Sequence, residues 1–405
     1  MLAYAIDWLS LLGRWLHLIA GIAWIGSSFY FIWLDNHLTL PVDPGLAARG
    51  VGGELWAVHG GGFYHSQKYR VAPATLPATL HWFYWEAYTT FLSGFFLLCL
   101  LYYGQAEIYL IDPAVMPLSK PAAIGIGLAF MAGGWIVYDA LCRSPIGRNG
   151  TAMGAVLTVL LSAAAWGLCH LFSGRGAYLE FGAMLGTIMV ANVLVIIIPG
   201  QRELVRAKQA GRDPDPGPGL AGKLRSTHNT YFTLPVLFVM ISNHYAMTYG
   251  AKQNWLVLIA ISAAGVGIRQ YFVSRHKAHE RGGRTSPVPI IVAAAILAAL
   301  VIVLAPRQSQ DASAAGDSPP AARFAQVEAI IGERCLPCHS VKPTFTGFAA
   351  PPNGVLLDSP EHIFARLPQM DLQLTAKAMP VGNLTAMTDA ERTQLLMWIH
   401  DGAPH

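Results

Sequence analysis

The sequence predicts an all-α protein: a polytopic membrane helix bundle of about eight spans, followed by a small helical domain. Three observations carry this. The chain of 405 residues is 54% apolar and only 12% charged, with a mean hydropathy of +0.42, too apolar and too weakly charged for a water-soluble protein. Apolar runs close to the ~20 residues that cross a bilayer recur along it. After them come a polar stretch and one Cys-x-x-Cys-His run, Cys335-Leu336-Pro337-Cys338-His339.

The apolar runs place spans near 11–34, 79–103, 122–142, 153–172, 178–199, 231–249, 255–273 and 287–305. The first lacks a basic n-region and a small-residue cleavage site, so it reads as a retained helix and not a removed signal peptide. Eight spans return both termini to one side. The loops of the other side hold most of the basic residues: Arg49, Lys68, Arg70, Arg143, Arg148, Arg202, Arg206, Lys208, Arg212, Lys223, Arg225, Arg275, Lys277, Arg281 and Arg284. The loops on the termini's side hold only Lys120, Arg175 and Lys252. Cytoplasmic loops are the basic ones, so both termini are expected in the periplasm of a bacterial cell. The net charge of +4 is then a topology signal and calls for no nucleic-acid partner.

Cys-x-x-Cys-His is the attachment signature of a c-type haem. Two thiols add to the porphyrin edge, and the adjacent imidazole reaches the iron from the same turn. A redox dithiol would need a thioredoxin-like strand–helix context, and a zinc site a second ligand pair. Cys99, Cys142 and Cys169 lie far upstream in apolar segments. Haem c attachment outside the cytoplasm agrees with the charge bias. Residues 323–333 read as a helix with Phe324, Val327, Ile330 and Ile331 on one face. Thr388-Asp389-Ala390-Glu391 reads as a capping box opening a last helix that buries Leu395, Leu396 and Ile399. Met379, before Pro380, is the expected second axial ligand, so His339 and Met379 would hold the iron; Met370 and Met387 are the alternatives. The segment 323–405 resembles a class I cytochrome c over its whole length. The membrane domain is then 1–306, and 307–322 is a flexible polar linker that tethers the two. Residues 35–77 form a long cytoplasmic loop containing His59-Gly60-Gly61-Gly62, and long loops are often functional.

Ionisable groups inside spans are functional candidates by default. Arg14, His17, His81, Glu86, Asp139, His170, Asn192, His228, Asn229, Asn243, His244, Arg269 and Gln270 form the set. His228 and His244 are about 24 Å apart along a helix at 1.5 Å per residue, so they serve different sites. On the periplasmic side, His17 and His244 are expected as ligands of a haem b; the alternative is that each hydrogen-bonds a neighbouring helix or sits among headgroups. His170 reads as interfacial. On the cytoplasmic side, His81, Glu86, His228 and Arg269, joined by His59, His65, Lys68 and Arg70 of the loop, suit a planar anion rich in carbonyl and ring N–H groups. Glu86 or a histidine there is the expected base; the alternative is that these are topology charges and helix caps. The aromatic run His81-Trp82-Phe83-Tyr84-Trp85 reads as interfacial belt.

Two long motifs carry a resemblance. Residues 14–30, RWLHLIAGIAWIGSSFY, and residues 226–235, STHNTYFTLP, continuing to Ser242-Asn243-His244-Tyr245, are similar to the membrane-bound bacterial urate hydroxylases, the PuuD family. These join a urate oxidase N-terminal membrane domain to a cytochrome c, and the resemblance covers essentially the whole chain. It implies oxidation of urate to 5-hydroxyisourate in purine breakdown. Electrons would leave through haem c to a respiratory acceptor, a cytochrome or terminal oxidase. It supports Cys335, Cys338, His339 and Met379 as haem c residues and supplies no urate pocket. The first span is also similar to that of a membrane protoporphyrinogen oxidase whose helix histidine binds haem, which favours His17. The competing readings are a quinol- or protein-linked membrane cytochrome and a transporter or sensor with a fused cytochrome. The length of loop 35–77 favours an enzyme over an electron wire. The absence of paired broken helices weighs against a transporter.

Overall fold

The computed structural model describes residues 2–280, 284–305, 320–345, 348 and 350–404. In chain order the elements are α1 (Leu2–His37), α2 (Pro44–Ala48), β1 (Val51–His59), β2 (Gly62–Tyr69), α3 (Trp85–Leu97), α4 (Ala106–Tyr109), α5 (Lys120–Arg143), α6 (Gly150–Leu171), α7 (Gly174–Ala191), α8 (Ile198–Gln209), α9 (Pro216–Ser242), α10 (Ala246–Tyr249), α11 (Asn254–Glu280) and α12 (Val288–Val303). The C-terminal domain adds α13 (Pro320–Arg334), α14 (Leu336–His339), α15 (Pro360–Ala365), α16 (Leu367–Thr375) and α17 (Asp389–His400). Most of the predicted linker lies outside the described residues.

Among the described residues, six helices are long and apolar enough to cross a membrane: Tyr4–His37, Trp85–Tyr103, Lys120–Arg143, Gly150–Leu171, Gly174–Gln209 and Asn254–Arg275. The two other predicted spans differ. The run at 231–249 is the second half of α9, whose first half is polar (Lys223, Arg225, His228, Asn229); the helix ends at Ser242. The run at 287–305 gives α12, 16 residues long, or about 24 Å at 1.5 Å per residue. The second predicted span begins late, at Trp85. Residues 79–84 are not helical, and the rings of 82–84 pack against the bundle. Phe83 meets Phe31 edge-on at 4.9 Å, and Trp82 and Tyr84 lie against a cluster of Ala87, Val193 and Ile198.

α7 is the hub. It packs against α3, α5, α6 and α9 and buries Tyr178, Phe181, Leu185 and Ile188, whereas α1 exposes Leu11, Leu12, Trp15, Ile19 and Ile22, as a lipid-facing helix does. Small residues allow the close approaches. A Cβ on Gly134 would fall 2.6 Å from Met184, and one on Gly127 would fall 2.7 Å from Glu180 Oε1. Between α7 and α8 the helix widens to π form over Asn192–Ile197. Pro199 lacks an N–H and would clash with a tight preceding turn, and the widened turn accommodates it.

The loop predicted over 35–77 is not irregular. β1 and β2 pair antiparallel from Val51–Tyr69 to His59–Gly62. Gly60 and Gly61 make the turn with φ of +58° and +80°, the left-handed region that suits glycine and matches hairpin twist. The hairpin follows the end of α1, and α1 runs antiparallel to α3, with Gly13 near Leu97 and Phe31 near Phe83. The hairpin therefore lies at the end of the bundle opposite the α4 turn.

The C-terminal domain has its own core of Val327, Ile331, Leu357, Ile363, Leu395 and Trp398, where α13 crosses α17. The capping box at Thr388 and Glu391 forms as predicted. This domain sits on the α4 end of the bundle. Gly382, at φ +56°, lies where a Cβ would be 3.0 Å from the Ile108 carbonyl and 3.4 Å from that of Ile111. A Cβ on Gly250 would strike the Ala376 carbonyl.

Candidate functional site

The Cys-x-x-Cys-His run forms one turn of helix. Cys338 and His339 donate their amides to the Cys335 carbonyl at 3.1 and 2.9 Å. The following chain folds back over it: Thr344 and Phe345 donate to the Pro337 carbonyl, and Leu357 to that of His339. His339 Nδ1 lies 3.0 Å from the Val355 carbonyl. That bond fixes the tautomer and ring direction and leaves Nε2 as the ligating atom, the arrangement a metal-binding histidine needs. Burial pushes the Cys335 thiol up to about 12 and raises that of Cys338. Both stay protonated at neutral pH, unlike a reactive dithiol.

Met370 and Met387, the alternative axial ligands, are part of the apolar core, 9% and 4% exposed. Met379 is half-buried outside that core. Its carbonyl accepts from Arg392 Nη1 at 2.6 Å, and the same nitrogen reaches the Leu374 carbonyl at 3.3 Å. The contacts with the membrane domain, Ala376 and Gly382, flank Met379 on both sides. The donor set of one imidazole, one thioether and two thiols fits a c-type haem; among the described residues no cluster of three or more His, Cys, Asp and Glu side chains suits a bare metal ion.

Two polar clusters lie inside the bundle. Toward the hairpin end, Arg225 donates to Asp139 Oδ1 at 2.6 Å and to Asn192 Oδ1 at 3.4 Å. Its guanidinium lies over the rings of Trp135 and Tyr138. Asn192 donates to Asn229 Oδ1 at 2.8 Å and to the Tyr138 hydroxyl at 3.2 Å, and that hydroxyl lies 2.8 Å from His228 Nδ1. α5, α7 and α9 are thus tied by one chain of hydrogen bonds. Toward the other end, Arg175 Nε donates to Asn243 Oδ1 and to the Tyr102 hydroxyl, each at 3.0 Å, and stacks on Tyr109, directly behind the α4 turn that meets Gly382.

The profile of the urate oxidase N-terminal family matches residues 3–305. The chain belongs to the urate oxidase N-terminal family. No curated protein matches the chain, and no solved structure does. The family match ends with α12, so it ties the membrane domain to urate chemistry and leaves the C-terminal domain to its own residues.

Within this urate oxidase N-terminal domain the predicted site residues fall in separate places. His17 Nδ1 lies 2.9 Å from the Thr90 carbonyl and 3.2 Å from Ser93 Oγ on α3. Its ring covers Gly94, where a Cβ would be 2.7 Å from Cε1. Nε2 has no partner among the described residues, the same pattern as His339. His244 is exposed in the turn after α9, and no described contact joins it to His17. The expected cytoplasmic cluster is likewise not assembled. His81 is exposed in the non-helical segment ahead of α3 and is not on a span. Glu86 is in the first turn of α3, with Oε2 buried and unpartnered. His228 is held by Tyr138. The loop groups are engaged locally: His65 pairs with Glu54 at 2.7 Å and Lys68 with Asp35 at 2.5 Å. His170 is exposed at the end of α6, as expected for an interfacial residue.

Sequence reasoning missed Arg225, Arg175 and Glu180. Two of these were read only as topology charges, because a basic residue near a span end looks the same in sequence whether it faces water or folds inward. Glu180 is fully buried beside Gly127; an acidic residue at the start of an apolar run was the available signal.

Proposed function

We propose that the chain is a membrane-bound urate hydroxylase of the bacterial cell membrane. It oxidises urate to 5-hydroxyisourate and delivers the electrons, by a haem c on its periplasmic C-terminal domain, to a respiratory acceptor. In the balanced reaction urate and water give 5-hydroxyisourate, two electrons and two protons, so the new hydroxyl comes from water. The observation that carries this reading is the seating of the C-terminal domain. The segment that holds Met379 is pressed by Ala376 and Gly382 against the end of a urate oxidase N-terminal bundle. A bound haem c supplies a one-electron store there.

The chain's own residues have separable tasks. Cys335 and Cys338 would hold the porphyrin, and His339 and Met379 the iron. Val355 orients His339, and Arg392 holds the Met379 backbone. His17, oriented by Thr90, is our proposed ligand for a haem b between the two ends of the bundle. Glu86, with a buried unpartnered oxygen, is the proposed base for a urate ring proton, with His228 near the same end.

The deciding experiment is an anaerobic spectrum of the purified oxidised protein, with and without urate. Urate is expected to bring up the reduced c-type α band. A haem reduced by dithionite and not by urate would overturn the reading in favour of an electron-transfer module, with quinols as the next donors to try. Cys335→Ala is expected to abolish covalent haem staining. Met379→Ala should keep the stain and lower the potential; an unchanged potential would move the ligand to Met370 or Met387.

A further inference from the structure

The geometry points to the substrate site itself: a cavity between α1 and α11 in which Arg269 and Asn36 bind a planar ring anion, urate on the function proposed above. The inference rests on that reading for the ligand's name and on the cavity for its chemistry. The cavity has a volume of about 200 Å³, room for a small bicyclic ring and less than the roughly 300 Å³ at which sites for drug-sized ligands begin. Phe29 and Trp33 of α1 and Phe272 of α11 supply flat apolar walls, and Asn36 and Arg269 the polar groups.

The state of those polar groups decides the ligand class. Arg269 Nε and Nη2 are both buried without a hydrogen-bond partner, and so is Asn36 Nδ2. Nε and Nη2 are the two nitrogens of one guanidinium edge, whose parallel N–H bonds match a pair of adjacent acceptors. The guanidinium carbon lies 4.3 Å from the centroid of Phe29. One face is therefore covered, and the edge remains for a ligand lying in the guanidinium plane. A carbonyl oxygen next to a deprotonated ring nitrogen presents that acceptor pair. All three unsatisfied groups are donors, so the missing partner is an acceptor, and a buried unpaired cation favours an anionic one. Stacking on Phe29, Trp33 and Phe272 suits a flat ring. The site lies at the hairpin end of the bundle, the end of Glu86 and His228. Tyr231, one turn beyond His228 on α9, bonds Gln270 next to Arg269 at 2.6 Å.

The test uses the full haem-loaded chain in detergent, with radiolabelled urate in equilibrium dialysis beside the urate-driven haem reduction. Arg269→Lys keeps the charge and loses the fork. It is expected to bind urate about tenfold or more weakly, as loss of a charge-assisted pair implies, and to raise KM with kcat largely kept at saturating urate. Asn36→Asp places a carboxylate where it pairs with Arg269 and repels an anion, and is expected to weaken binding as much or more. Its fold is checked by haem staining and gel filtration. Unchanged urate affinity in both variants would overturn the site while leaving the urate hydroxylase reading intact. An unmodified chain that neither binds urate nor is reduced by it would overturn that reading, and the assignment of urate to this cavity with it. A tightly held phospholipid, retained by the unmodified chain and lost from Arg269→Lys while urate affinity is unchanged, would assign the fork to a headgroup phosphate and overturn the proposal.

Discussion

Arg225 and Arg269 lie in the same end of one helix bundle, and their surroundings are opposite. Arg225 is 4% exposed; its Nη2 donates to Asp139 and its Nη1 to Asn192, and its guanidinium lies over Trp135 and Tyr138. Arg269 has Phe29 on one face and two donors with nothing to give to. The C-terminal domain repeats the first pattern: Arg392 holds the Leu374 and Met379 carbonyls, and Arg334 holds Glu391 and the Thr385 carbonyl. The lesson is that an arginine whose nitrogens are given to fixed partners of the fold fastens structure, whereas one with a free buried edge is a socket. A chain that folds in a membrane keeps an unpaired guanidinium only where something else completes it.

The contrast can be broken in order of expected effect. Arg225→Leu takes from Asp139 its buried partner, leaving only the exposed Arg143, and takes a donor from Asn192; bonds to charged groups are worth about 1.5–3 kcal/mol each. A large drop in the thermal midpoint of the full chain in detergent is expected; a midpoint like that of the unmodified protein would show that the Asp139 pair fastens nothing. Arg392→Gln should cost the C-terminal domain about 1–3 kcal/mol and free the Met379 segment. Covalent haem is expected to remain and its potential to fall toward that of Met379→Ala, and a potential that stays put would remove Arg392 as a positioning residue. Arg269→Leu is expected to shift stability of the urate-free protein by less than about 1 kcal/mol, or to raise it, because it deletes a half-buried guanidinium with two unpartnered donors. A melt as damaged as that of Arg225→Leu would make Arg269 a second fastener and erase the comparison.

The smallest effect concerns Glu391. The hydrogen bond from Arg334, then that from the Thr388 amide, holds its carboxyl down to about 2, below the ordinary value of 4.5. A depressed carboxyl stabilises the folded domain above its unfolded value, and that contribution is lost as pH falls from about 4.5 through 2. Glu391→Gln should flatten the pH dependence of C-terminal domain unfolding in that window, read from the Soret band of the full chain. An unflattened profile would show that another group governs it.

The local structure of the C-terminal domain was the most legible part of the molecule, because its signals are contiguous. Cys335, Cys338 and His339 occupy one turn, and a capping box needs only Thr388 and Glu391. The hairpin at 51–69 carries one local signal, the turn dipeptide Gly60-Gly61, but its strands lack the alternation that marks a half-buried strand, so the stretch reads as loop in sequence. The bundle site was illegible for a different reason. Hydropathy placed six of its eight spans on helices long and apolar enough to cross a membrane, to within several residues, and intramembrane polarity marked a set of side chains. Neither says which way a side chain points.

The sequence by itself determined that this chain is helical, rich in apolar spans, and ends in a Cys-x-x-Cys-His domain, since composition, period and spacing are properties of contiguous residues. Only the tertiary structure decided that His81 stands outside the bundle, that Arg225 is spent on Asp139, and that Arg269 and Asn36, more than two hundred residues apart, share one cavity with unsatisfied donors. Pairing in a membrane core depends on which helices are neighbours, and that is fixed by small residues such as Gly94, Gly127 and Gly134 letting particular backbones approach.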